Sequence, residues 1–354
     1  MITIIKSKEL KEKPADESKL GFGRIFTDHM FTLKYEQGKG WHDPTIQPYS
    51  KIEMDPSTSI LHYGQTIFEG LKAYRVKDGR ILLFRPRDNF LRLNRSADRM
   101  CIPNVDVDLA LEGLFELLKV EKDWVPSSKG TSLYIRPTII ATEPYLGVHV
   151  STSYLFYMIL SPVGAYYSTG LKPVSIYVED QYVRAAKGGT GEAKTAGNYA
   201  ASLIGSKKAE QLGCSQVLWL DAAERKYVEE VGAMNIFFVI DGVIVTPALS
   251  GSILPGITRD SVIKYARFKG LEVQECAISI DEVEEAYEKG KLDEAFGTGT
   301  AAVISPVGVL KYKDKTMVIN NGEMGKISAM MYDGLTGIQN AELPDPFGWV
   351  IELK

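Results

Sequence analysis

Cysteine is scarce in this chain. Cys101, Cys214 and Cys276 are scattered over 354 residues, odd in number and in no CxxC or CxxH spacing. That pattern excludes a disulfide framework or a structural zinc and fits a reducing compartment. The 4 histidines, His29, His42, His62 and His149, have no metal-ligand spacing, and His29 and His62 read as structural. Neither sign of charge dominates. The 41 Lys and Arg are interleaved with 45 Asp and Glu for a net charge of -4, which argues against nucleic acid or an anionic membrane as partner. No apolar run approaches the length that spans a bilayer. Residues 1–20 alternate Lys and Glu after a few apolar positions, with neither a signal-peptide core nor transit-peptide character. There is no internal repeat and no low-complexity tract. The expectation is a soluble, cytoplasmic protein.

What is present is ample material for a core: 45% apolar and 24% charged residues in a chain longer than one usual domain. Residues 36–58 are rich in Gly and Pro and read as irregular. Residues 59–64 read as a short strand, and 70–85 as a hairpin turning at Lys77-Asp78-Gly79-Arg80. A helix is expected over 88–100, with Phe90, Leu91 and Leu93 on its apolar side, and another over 108–119. Residues 133–142 and 154–161 are β-branched and aromatic runs, read as buried strands. Loop composition over 161–171 marks the best domain boundary. The second half alternates strands (174–179, 216–221) with helices (198–212, 259–269). Asp241-Gly242 is a two-residue hairpin signal, and Ser279 to Glu282 resembles a capping box.

One lysine, Lys194, sits among small residues in Gly-Gly-Thr-Gly-Glu-Ala-Lys-Thr-Ala-Gly-Asn-Tyr (188–199). Three readings compete: a flexible loop with a solvated lysine, a phosphate-binding P-loop, and a lysine that forms a Schiff base. The P-loop pattern is broken because Ala193 replaces its second glycine, and no convincing acidic strand end accompanies it. A Schiff-base lysine needs its amine unprotonated part of the time, which a dry, crowded pocket favours. Glu230 lies in an apolar stretch and could face a pyridine nitrogen, keeping it protonated so that the ring draws electrons. Its neighbour Glu229 reads as a surface residue. Leu254-Pro-Gly-Ile-Thr-Arg-Asp before a helix, and Phe296-Gly-Thr-Gly-Thr-Ala, suit anion binding through backbone amides and hydroxyls.

The order Glu230-x-Gly-x-x-Asn235-Ile-Phe237, then Ile244-x-Thr246, then Leu254-x-Gly256-Ile-x-Arg259 resembles the class IV aminotransferase signature. Together with Phe68-Glu-Gly-Leu-Lys-Ala-Tyr74, Ser132-Leu-Tyr-Ile-Arg-Pro137, Glu143-Pro-Tyr-Leu-Gly147 and Gln216-Val-Leu-Trp-Leu220, it is similar to the branched-chain-amino-acid aminotransferases. The likeness is to their longer-chain group, which includes the animal enzymes. It implies a mixed α+β/α/β fold of two domains with pyridoxal 5′-phosphate between them. These would be a smaller N-terminal α/β domain (1–164), an interdomain loop (165–176) and a larger C-terminal domain with barrel-like β structure (177–354). It also implies a homodimer with a shared active site.

Residue by residue, the resemblance makes Lys194 the covalent cofactor lysine and proton shuttle. Tyr199 becomes the partner of the cofactor's phenolate oxygen, and Glu230 that of its ring nitrogen. Arg85, Thr300 and the backbone of Ile257 and Thr258 become the phosphate cradle. It assigns the substrate α-carboxylate to amides at Thr300 and Ala301 with help from Tyr63. The side-chain pocket falls to Phe22, Phe68, Tyr134 and Tyr199, with Leu146 and Val148 reaching in from a second subunit, and Arg136 receives the distal carboxylate of glutamate. The implied reaction is ping-pong transfer of the amino group between Leu, Ile or Val and 2-oxoglutarate, with small amino acids and 2-oxo acids as partners. The rivals are a D-amino-acid aminotransferase or pyridoxal-phosphate lyase on the same fold, a P-loop protein, and a non-catalytic cofactor binder. Ala233 stands where relatives often carry threonine. Ala302-Val-Ile-Ser305 replaces the Cys-x-x-Cys of some animal members, so no thiol redox switch is expected there.

Overall fold

The computed structural model describes residues 1–164 and 171–354, so most of the boundary loop expected at 165–176 lies outside the described residues. The chain forms two compact units. The first takes the described residues of Met1–Tyr166 together with Ala193–Ala196 and Ile338–Lys354, and the second takes those of Tyr167–Glu192 and Gly197–Gly337. This differs from the linear division read from sequence, in which everything after 176 belonged to the second domain.

In chain order the first part holds β1 (Thr3–Ile4), β2 (His29–Glu36), β3 (Gly40–Pro48), α1 (Ser59–Tyr63), β4 (Thr66–Phe68), β5 (Leu71–Arg75) and β6 (Ile81–Phe84). There follow α2 (Pro86–Arg99), α3 (Val107–Val120), β7 (Ser132–Ala141) and β8 (Ser153–Val163). The second unit contributes β9 (Val174–Glu179), α4 (Ala196–Gln211), β10 (Gln216–Leu220), β11 (Val228–Val231), β12 (Met234–Ile240), β13 (Val243–Pro247) and α5 (Ile257–Phe268). It continues with β14 (Val273–Cys276), α6 (Ile280–Glu288), β15 (Leu292–Gly299), β16 (Val303–Tyr312), β17 (Lys315–Val318) and α7 (Lys326–Gln339), before β18 (Val350–Glu352) closes the chain.

The first sheet runs β1-β3-β2-β8-β7-β5-β6-β18, with β4 also on β7. Antiparallel pairing of Val350–Glu352 with Leu82–Phe84 is what ties the C-terminus to this unit. Period-two alternation sorts the faces. On β7, Leu133, Ile135 and Ile139 enter the core under α2 and α3 with Phe90, Leu93, Leu114 and Leu117, which leaves Tyr134, Arg136 and Thr138 on the opposite face. Leu91 is half exposed and does not join that core, because the buried stripe of α2 runs through Asn89, Phe90, Arg92, Leu93, Ser96 and Ala97.

Two sequence expectations fail here. Residues 59–63 are a helical turn, not a strand. Gly64 stops it at φ 67°, its N–H returning to the Ile60 carbonyl, and a short apolar run does not distinguish the two by period. Residues 40–48 are a strand, although rich in Gly and Pro. The register passes from Thr32↔Thr45 to Lys34↔His42, so Leu33 opposes both Asp43 (φ 55°) and Pro44. The proline therefore occupies a bulge, where no ladder N–H is required of it.

In the second unit β11, β10, β9, β16, β15 and β12 pair in succession, and β12 pairs back to β11, closing a ring. Ile176, Val178, Leu218, Val231, Ile236 and Leu310 share its core. The Asp241-Gly242 turn joins β12 to β13 with both residues at positive φ, and the Ser279–Glu282 capping box opens α6. β9 begins at Val174, so the last positions of the expected boundary loop are strand.

Candidate active site

In the first unit, residues 193–196 are pinned on both sides. The Lys194 N–H donates to Ser96 Oγ at 2.9 Å, its carbonyl accepts from Phe68 N–H at 3.0 Å, and Thr195 Oγ1 donates to the Thr66 carbonyl at 2.7 Å. Backbone so held aims the side chain: Lys194 Nζ lies 5.1 Å from the Phe68 ring centre. The Arg136 guanidinium covers the same ring at 4.7 Å and donates to Tyr134 Oη at 2.9 Å. Phe22 packs on Tyr134 with ring centres 4.9 Å apart. The structure thus brings Lys194, Phe68, Tyr134, Arg136 and Phe22 onto one face. The Arg136 Nε is buried with no hydrogen-bond partner among the described residues, a donor suited to an incoming anion.

Glu69 underlies this group. It is fully buried, grips Arg92 through Nε at 2.7 Å and Nη2 at 2.9 Å, and accepts from Asn89 at 2.9 Å. Burial raises its pKa, but the Arg92 charge and hydrogen bonds, with Lys194 nearby, outweigh that and leave it lowered. On the neighbouring strand Lys72, opposite Tyr134, has its pKa pushed down by burial to about 8. Sequence reasoning left Glu69 and Lys72 without a role and did not see Asn89, Arg92 or Ser96. The available signal was polar residues on the buried stripe of α2.

Arg85 is buried. It caps α2 in the left-handed region (φ 51°), its N–H bonds the Trp349 carbonyl at 2.8 Å, and its guanidinium lies 5.2 Å from the Trp349 ring centre. Asp88 accepts from its Nε at 2.6 Å. A non-glycine residue held in that conformation marks a position determined by its surroundings. The Tyr63 hydroxyl donates to the Leu146 carbonyl. Leu146 and Val148 lie exposed on the 143–150 loop.

In the second unit, β11 is buried along its whole length, flanked by β10 and β12. Glu230 accepts from the Leu254 N–H at 2.6 Å and from Arg184 at 3.2 Å. Glu229 is therefore not a surface residue either; it is buried and accepts from Ser252 Oγ. Asn235, opposite Glu230, donates to the Leu254 carbonyl at 2.9 Å. A Cβ on Gly256 would lie 2.0 Å from Asn235 Oδ1, so any other residue there must displace the Asn235 side chain. Gly256, the N-cap of α5, has no side chain to cap the helix whose first residues are Ile257 and Thr258. Backbone amides at the positive end of a helix suit phosphate groups. Thr300 and Ala301 occupy the turn between β15 and β16, beside the buried Thr298, whose hydroxyl has no partner among the described residues. Tyr199 is half-buried in the first turn of α4. Arg184, holding Glu230, is a further residue the sequence reading missed.

Each unit, taken by itself, holds groups of the kind pyridoxal phosphate requires: the first a clamped lysine and a buried arginine, the second a buried carboxylate and a helix start at a glycine N-cap. Comparison with known proteins agrees. A family model described as amino-transferase class IV matches residues 66–309. Branched-chain-amino-acid aminotransferase 2 of Bacillus subtilis is 60% identical over 343 residues, covering 97% of this chain and 94% of that protein. A second B. subtilis protein, branched-chain-amino-acid transaminase 1, is 60% identical over 97% of this chain and 96% of its own length. The crystal structure of Escherichia coli branched-chain amino acid aminotransferase superposes with a TM-score of 0.77 at 28% identity, covering 92% of this chain and 99% of that one. The T.th. branched-chain amino acid aminotransferase, solved in complex with N-(5′-phosphopyridoxyl)-L-glutamate, gives 0.74 at 27% identity over 91% and 98% of the two chains.

Proposed function

Because the chain belongs to the class IV aminotransferases, within the branched-chain-amino-acid group, we propose that it reversibly transfers the amino group of L-leucine, L-isoleucine or L-valine to 2-oxoglutarate. Bound pyridoxal phosphate supplies an aldehyde that carries the nitrogen and a ring that withdraws electrons from the substrate Cα. The chain's own residues do the rest. Lys194 holds the cofactor and moves the proton at Cα. Glu230, kept in place by Arg184 and the Leu254 amide, holds the ring nitrogen. Tyr199 faces the phenolate oxygen. Arg85, the Ile257 and Thr258 backbone and Thr300 hold the phosphate. Phe22, Phe68 and Tyr134 exclude water and suit an aliphatic side chain. Arg136 answers the second carboxylate of glutamate, and amides at Thr300 and Ala301 the α-carboxylate.

The carrying observation is Lys194, clamped by Ser96 and Phe68 and set over the same aromatic ring as Arg136. Incubation with each branched-chain amino acid and 2-oxoglutarate should yield glutamate, and D-alanine should not replace them. The Lys194→Ala variant should lose the visible cofactor band and at least ~10³-fold in rate. A variant that keeps both sinks the reading.

The assembly belongs to the same proposal. Tyr145, Leu146, Val148 and Val150 are exposed on one loop, and Tyr63 is tied to it. Such a patch suits a homodimer in which the loop completes the partner's pocket. Sedimentation of Val148→Glu against the parent tests it. Among the described residues no helix is long and apolar enough to cross a membrane, and we place the enzyme in the cytoplasm.

A further inference from the structure

The strand that carries Glu230 is irregular at that place. Pairing of β10 with β11 steps from Leu218↔Val231 to Leu220↔Val228, so Trp219 alone stands against both Glu229 and Glu230. Two residues against one make a β-bulge, and bulges re-aim side chains. In a regular strand consecutive side chains leave opposite faces. Here both carboxylates reach the same short segment, 252–254. Glu229 accepts from Ser252 Oγ, and Glu230 accepts from the Leu254 N–H at 2.6 Å.

Ser252 is held at both ends. While its hydroxyl meets Glu229, its carbonyl accepts from Arg184 Nη2, the same nitrogen that lies 3.2 Å from Glu230 and donates to the Gly191 carbonyl at 3.2 Å. A Cβ on Gly191 would lie 2.2 Å from the Ser252 carbonyl oxygen, so the chain at 191 is packed directly on this segment. Glu229, Glu230, Ser252 and Arg184 are all buried, where a lost partner is not replaced by bulk water. A shift of Ser252 therefore disturbs both groups that hold Glu230: Arg184, through the shared carbonyl, and the Leu254 amide two residues on.

We propose that Glu229 is a positioning residue for Glu230: by gripping Ser252 it fixes the segment whose Leu254 amide, together with Arg184, holds the Glu230 carboxylate for the ring nitrogen of the cofactor. The inference rests on the reading of Glu230 as the partner of that nitrogen. Burial pushes the Glu229 carboxyl pKa up, the Ser252 hydrogen bond and the Arg184 charge pull it back, and the Glu230 charge raises it again, for a net rise. A neutral acceptor therefore suits this place, and Glu229→Gln keeps an oxygen for the Ser252 hydroxyl.

The test reconstitutes the enzyme with pyridoxal phosphate isotopically labelled at its ring nitrogen. Titration of the visible band gives cofactor affinity, and NMR of the label reads the protonation of the nitrogen, which a merely structural role would not move. Glu229→Gln should match the parent in both. Ser252→Ala should weaken affinity roughly tenfold, the worth of one hydrogen bond, and move the signal toward the unprotonated position. Should that variant fold poorly, a double variant, Glu229→Leu with Ser252→Ala, removes both polar partners at little cost to stability. It should melt near the parent yet keep the weakened affinity and the shifted signal. Parent-like affinity and signal in the double variant overturn the proposal. So does a Glu229→Gln variant displaced as far as Ser252→Ala, since charge and not grip would then be acting. Glu230→Gln checks the underlying reading: an unmoved signal there ends both, whereas a moved one beside an unchanged double variant ends the positioning role alone.

Discussion

Glu69 is a buried carboxylate next to the ring that Lys194 and Arg136 approach. Its carboxylate is paired with Arg92 and Asn89 in a dry place, and Phe68 before it carries both the Lys194 contact and the Arg136 stack. Truncating it strands a buried guanidinium, so Glu69→Ala should cost ~3–5 kcal/mol of unfolding free energy, read by denaturant titration. The pH dependence follows from the direction of its shift. Its folded pKa lies below the ordinary 4.5, so its stabilisation is fully present above that value and fades as pH falls through the lower folded one. Glu69→Gln should flatten the acid limb of the stability profile in that window. Arg136→Met should raise KM for 2-oxoglutarate about 10–100-fold and change that for leucine much less. The roles proposed for Lys194, Glu230 and Arg136 come from the resemblance that the motifs around them carry. Glu69 was not legible, because it lies in the short connection between β4 and β5 with no period of its own, and its partner Arg92 left only the trace of a polar residue on the buried stripe of α2. Glu229 was misread because sequence does not reveal that β11 is covered on both faces.

At the scale of elements, legibility followed local chemistry. The hairpin at Asp241-Gly242, the capping box of α6 and the long amphipathic helices were readable because each is determined by its own residues. The strand β3 was not, since its proline is admitted by a bulge that depends on β2, and α1 was too short for its period to be decisive. The same locality supports two predictions. Ser279→Ala removes a cap that accepts from the Glu282 amide and should lower stability by ~1 kcal/mol. Gly256→Ala must displace Asn235 from the Leu254 carbonyl, unsettling the turn that leads into α5. Cofactor release, followed by loss of the visible band on dilution, should be faster in that variant with little change in melting temperature.

At the scale of the whole molecule, the C-terminal strand was the part least visible in advance. Nothing in Val350–Glu352 alone announces that it pairs with β6, whereas the pairing sets the Trp349 carbonyl against the Arg85 amide. Removing residues 349–354 should therefore weaken cofactor affinity well before it abolishes folding, measured by titrating pyridoxal phosphate into the stripped enzyme.

The chain's path between its units has a consequence for how the protein is made. Residues 193–196 and 338–354 belong with the first unit although the stretches between belong with the second. No single proteolytic nick can release either half as an uninterrupted polypeptide. A ribosome supplies the edge strand β18 only after the whole second unit has been made, so the sheet that began with β1 is completed after that unit has emerged.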